Sequence, residues 1–164
     1  MISSFAAQRL ALIRAHDAFL LQLALFPAAQ RDQPGVCGTW SAREVVAHLI
    51  GWDSALTYFL RDPGGFDPQP LDDVDTFNAH AVAARRQQTW TATVSELRAE
   101  FARLQAALND EPGEMAILAR ALAWMTGRTA DYQLHCEQLA IWLNALPIAR
   151  GQEDDNDATS RSLG

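Results

Sequence analysis

Three observations predict an all-α fold for this chain of 164 residues. Apolar side chains recur at three- and four-residue steps along every long stretch of the sequence. No stretch shows the two-residue alternation of a half-buried strand, and no Asn-Gly hairpin turn occurs. Clusters of Pro, Gly and Asp divide the periodic stretches from one another. The length suits one domain with a sizeable core. The expected architecture is a four-helix bundle over residues 1–147, followed by a disordered acidic tail at 148–164.

The first helix is expected from about Ser3 to Phe26, with Phe5, Leu12, Phe19, Leu23 and Phe26 on its inner face and Leu10, Ile13 and Leu20 widening it. Pro27 and then Gln33-Pro34-Gly35 end it. The second opens at Trp40-Ser41-Ala42-Arg43-Glu44, where Ser41 and Glu44 have the spacing of a reciprocal capping box. Its buried face reads Val45, His48, Leu49, Trp52, Leu56, Phe59. Arg61 to Pro70 holds three prolines and two glycines and reads as loop.

A third stretch begins near Asp72 or Asp73, carries Val74, Phe77, Ala81 and Ala84, and has a candidate kink at Gln87–Thr91. It resumes with Val94, Leu97, Phe101, Leu104 and Leu108, and Asn109-Asp110-Glu111-Pro112-Gly113 stops it. The last region, Met115 to Leu146, is expected to break at Gly127. Its final helix has Asp131, Leu134, His135, Leu139, Trp142 and Leu146 on one side, and Pro147 ends it.

Composition narrows the function. All 13 basic residues are Arg, which excludes lysine Schiff-base or general-base chemistry. The net charge is −7, and no basic stripe offers phosphate contacts, so nucleic acid is not an expected partner. An acidic protein gains nothing at an anionic membrane surface, and the amphipathic N-terminal segment, interrupted by Arg9, Arg14, His16 and Asp17, reads as neither signal nor span. Cys37 and Cys136 are too few for a disulfide framework, which points to a cytoplasmic protein.

The chemistry concentrates on two helices. Asp131 and His135 lie one turn apart within the apolar stripe of the last helix, and His48 holds a similar place on the second. Buried polar groups of this kind must be satisfied internally. Side chains at i and i+4 stack on one face, so Asp131 and His135 can reach one ion, with His48 as the third ligand. Three protein ligands leave positions open for water or substrate. Two bland readings compete: His48 as a satisfied core histidine, and Asp131 as an acid near a helix start or a partner of Thr129.

Asn78 falls near the inner side of the third helix, where it is a candidate to donate a hydrogen bond into a pocket, or equally a half-exposed residue near a helix start. It is the one candidate for a catalytic role. His16 and His80 are assigned to the surface or to core packing, and Cys136, about 100° round the helix from His135, to packing. Trp52 and Trp142 are placed to line an apolar cavity about the ion.

Three segments resemble the DinB/YfiT-like superfamily of metal-dependent bundles, nearest its ClbS/DfsB-type and mycothiol-dependent maleylpyruvate isomerase branches. They are Trp40-Ser41-Ala42-Arg43-Glu44-Val45-Val46-Ala47-His48-Leu49-Ile50-Gly51-Trp52-Asp53, Asp75-Thr76-Phe77-Asn78 through Arg85-Arg86, and Thr129 through Trp142. The resemblance implies that His48 and His135 are ligands. Where the family typically presents the first histidine of a His-x-x-x-His pair, this chain has Asp131, which resembles the isomerase branch and its acid–histidine pair. It further implies a divalent ion, zinc or nickel foremost, and in some branches a low-molecular-weight thiol co-substrate.

Three functional readings follow. One is a metal-dependent enzyme acting on small electrophiles by thiol transfer, isomerisation or detoxifying hydrolysis. Another is a ClbS/DfsB-like protective protein that binds or hydrolyses a reactive natural product. The third is a non-catalytic bundle that forms a homodimer through aromatics around Tyr58 and Phe66.

Overall fold

The computed structural model describes residues 4–146, so the expected tail at 148–164 lies outside the described residues. Among these there is no strand, only an isolated bridge between Cys37 and Trp40. Five α-helices are present: α1 (Phe5–Ala24), α2 (Ala42–Arg61), α3 (Val74–Ala83), α4 (Trp90–Ala107) and α5 (Met115–Ala145). The four long ones make the bundle, and α3 is a short helix laid against α2.

Capping residues set the helix starts. Ser4 accepts from the Ala7 amide and begins α1. The expected capping box starts α2: the Ser41 amide donates to Glu44 Oε2 at 2.8 Å and the Glu44 amide to Ser41 Oγ at 3.3 Å. The turn before it needs glycine at position 35. Gly35 has φ of 107°, and a Cβ there would lie 3.1 Å from the Trp142 ring.

Two expectations about continuity are corrected. The candidate kink at Gln87–Thr91 is a full break between α3 and α4. Thr89 accepts from the Ala92 amide as an N-cap, and Arg85 bridges to Glu96 across the turn at 2.7 Å. The expected break at Gly127 does not occur, and α5 runs through it. Gly127 is on the solvent side, while its neighbours Met125, Arg128 and Thr129 are buried. A glycine costs a helix only about 1 kcal/mol relative to alanine, and the packing of those neighbours outweighs that.

Arg9 Nη1 donates to the Leu108 carbonyl, which sets the start of α1 beside the end of α4. The end of α2 and the start of α5 line one cleft with the end of α4. The long helices therefore run up, down, down, up, with α1 alongside α5 and α2 alongside α4. Leu12, Phe19 and Leu23 of α1 share one core with Val45, Leu49 and Leu56, Leu97, Phe101 and Leu104, and Met125, Tyr132 and Leu139. Three residues assigned to apolar stripes, Leu10, Val74 and Leu134, are instead close to half exposed. Phe66 packs on Phe59 and Trp124 with Arg120 over the rings, which leaves Tyr58 as the exposed member of the proposed dimer aromatics. No described helix is long and apolar enough to cross a membrane.

Candidate metal centre

The inner faces of α2 and α5 bring His48, Asp131 and His135 together, with one candidate ligand atom from each lying within 4.8 Å of the others. His48 and His135 are buried, and Asp131 is half-buried. His48 Nε2 lies 3.8 Å from Asp131 Oδ2, and the two imidazoles meet edge to face at 5.2 Å between centroids. Asp131 stands in the middle of the continuous α5, far from any helix start. The dipole reading is thereby removed, and Thr129 donates to the Met125 carbonyl, not to Asp131.

Asn78 of α3 settles the tautomer of His48. Its Oδ1 accepts from Trp52 Nε1 at 2.8 Å and also contacts His48 Nδ1 at 2.9 Å. An indole N–H can only donate, so the amide atom facing both rings is the oxygen. His48 Nδ1 must then carry the proton, and Nε2 keeps its lone pair. That Nε2 is buried and has no hydrogen-bond partner. A buried acceptor left unmade costs about 1–3 kcal/mol. A divalent cation facing Asp131 and His135 would satisfy it, and the donor set of two imidazoles and a carboxylate fits such an ion.

His135 is oriented in the same way, with Nδ1 2.7 Å from Gln138 Oε1 one turn on. Neutral imidazoles with the far nitrogen hydrogen-bonded are the form in which histidine binds a cation. Burial favours that form. It pushes the pKa of His48 down to about 4, with Arg128 and His135 adding to the effect and Asn78 and Asp131 opposing it. Burial lowers His135 too, against Gln138 and Asp131.

Aromatic rings wall the site. Trp52 packs on Phe77 at 4.6 Å, and Trp40 lies 5.2 Å from the His48 ring. Trp40 is an addition to the expected pair, and the Trp142 ring lies against Gly35, whose amide donates to the Trp40 carbonyl at 3.2 Å. His16 is buried against Phe101, His80 is exposed, and Cys136 Sγ faces the Ala18 carbonyl, all three as surface or packing residues.

A buried ionic group beside the triad was missed from sequence. Arg128 pairs with Asp53 at 3.0 Å and with Asp131 at 2.7 Å, and Tyr132 donates to Asp53 at 2.5 Å. Burial opposes the Arg128 charge, but Asp53, Tyr132 and Asp131 raise its pKa overall. Burial pushes the Asp53 carboxyl up, and Arg128 and Tyr132 pull it back. A signal was present: Arg128, Tyr132, His135 and Leu139 recur at steps of four, three and four, and Asp53 falls between Leu49 and Leu56 on the α2 stripe.

The family model for the mycothiol maleylpyruvate isomerase N-terminal domain matches residues 12–140, well over half of the chain and all of the residues just described except Trp142. No curated protein and no solved structure matches the chain.

Proposed function

The chain belongs to the mycothiol maleylpyruvate isomerase N-terminal domain family, a DinB-like domain, and on that premise we propose that it is a metal-dependent enzyme acting on small electrophiles. Its reaction class is thiol transfer, isomerisation or detoxifying hydrolysis, and a low-molecular-weight thiol is the co-substrate that fits the family name. The observation that carries the reading is the buried, unpartnered Nε2 of His48, facing Asp131 and His135. His16 Nε2 is buried without a partner as well, but among the described residues only His48 has two further ligand atoms gathered beside it.

Two imidazoles and one carboxylate suit zinc or nickel and leave coordination positions open. Bound there, such an ion supplies Lewis acidity that makes a thiol or water a nucleophile near neutral pH. The residues of the chain do the rest. Asn78 and Gln138 hold the two imidazoles with their lone pairs inward. Trp40, Trp52 and Phe77 exclude water from the His48 side and offer apolar surface to a small substrate. Asp131, the one half-exposed member, marks the side from which substrate enters.

Elemental analysis of protein purified without added metal, wild type beside His48→Ala, tests the reading. The wild type is expected to carry stoichiometric zinc or nickel and the variant to lose it. A wild type that is metal-free and takes up neither added ion refutes it.

A further inference from the structure

Arg128 is the largest fully buried side chain among the described residues, and each of its three guanidinium nitrogens donates a hydrogen bond. Nε donates to Asp53 Oδ1 at 3.0 Å, Nη2 to the Leu49 carbonyl at 3.3 Å and Nη1 to Asp131 Oδ2 at 2.7 Å. Asp53 is itself wholly buried and also receives the Tyr132 hydroxyl. Stability gives no reason for this arrangement, because a buried ion pair is often matched or surpassed by apolar side chains of equal volume. Its distinguishing feature is that the third arm of the fork ends on a candidate ligand.

Asp131 needs such a hold. It is half-buried in the middle of α5, and among the described residues the one hydrogen bond to its carboxylate comes from Arg128. We propose that Arg128, anchored on Asp53, is the positioning residue of the candidate centre, fixing the Asp131 carboxylate toward His48 and His135. The inference rests on the metal-centre reading above. Asp53 has a second part in it. A guanidinium beside a cation site repels the incoming ion, and the buried carboxylate opposite cancels that charge. The Arg128–Asp53 pair thus presents Asp131 with a rigid hydrogen-bond donor and little net charge.

The two roles predict an unusual order of metal affinity. Asp53→Asn removes the counter-charge and leaves Arg128 with Asp131 as its only anionic partner, so the guanidinium competes with the ion. The double variant Asp53→Asn, Arg128→Met is neutral and loses only the hold on Asp131. Zinc affinity of the chelator-stripped full chain, read by competition with a chromogenic chelator, is expected to fall about tenfold in the double variant and about a hundredfold in the single one. The visible spectrum of cobalt(II)-loaded protein is expected to change in both. Circular dichroism at the titration temperature confirms that each variant is folded, and a purely structural role would alter melting without altering affinity. Wild-type affinity in the folded double variant overturns the proposal, as does a single variant that binds at least as tightly as the double. Should the single variant not fold, the double variant alone decides. If the wild type binds neither zinc nor cobalt, the metal-centre reading itself fails and takes this inference with it.

Discussion

Acid should destabilise this bundle through a histidine outside the candidate ligand set. His16 of α1 lies flat on Phe101 of α4, with ring centroids 3.6 Å apart and planes within 1°. Tyr132 meets its edge, Nε2 is buried without a partner, and Nδ1 reaches Asp17 at 3.3 Å. Burial pushes its pKa from 6.5 down to about 4; Asp17 opposes the shift and Arg98 adds slightly to it. The unfolded chain therefore takes up this proton first as pH falls. The contribution of the neutral ring is complete above pH 6.5 and is lost as pH drops toward 4. Each pH unit in that window costs about 1.4 kcal/mol, which gives about 2 kcal/mol by pH 5 and about 3 kcal/mol by pH 4. His48 is displaced in the same direction, so the contribution of His16 is isolated by comparison with His16→Phe, whose ring retains the stack on Phe101. Urea unfolding of both proteins, followed by circular dichroism between pH 7.5 and 5, measures it. The difference in unfolding free energy should move in favour of the variant by about 2 kcal/mol across that range. Parallel pH profiles, differing by a constant, would refute the argument and mean that the folded protein protonates this ring freely.

Other substitutions test the fold and the site. Gly127→Ala is expected to raise stability by about 0.5–1 kcal/mol in a thermal melt, because α5 is continuous there and a Cβ would meet nothing within 4 Å. Gly51→Ala should do the reverse, costing about 1–3 kcal/mol, since its Cβ would lie 2.7 Å from that of Ala81 where α3 rests on α2. Asn78→Ala strands the His48 and Trp52 N–H groups and should weaken zinc binding about 10–100-fold while the chain remains helical. Unchanged zinc affinity in that variant would separate Asn78 from the orientation of His48.

Much of the candidate site was legible because helical period and burial coincide. His48 sits between Val45 and Trp52, and His135 one turn before Leu139, so a count of three and four already turned both inward. Asp131 was placed beside His135 by the same count, although its distance from the start of its helix was misjudged through Gly127. Asn78 was singled out by its position, but its action, an oxygen accepting from two rings, depends on α3 folding back over α2. The helical period turns Arg128 and Asp53 inward, but 75 residues separate them and nothing local says that they meet.

The sequence by itself determined the helical class, the Ser41–Glu44 cap, the stop at Asn109–Gly113 and the inward set His48, Asp131 and His135. These follow from local period and capping chemistry, which act over a few residues. The tertiary structure decided the continuity of α5 through Gly127, the separation of α3 from α4, and which buried polar atoms find partners. Those are balances between a local preference of about 1 kcal/mol and packing or desolvation energies of several, and only the assembled helices supply the larger side.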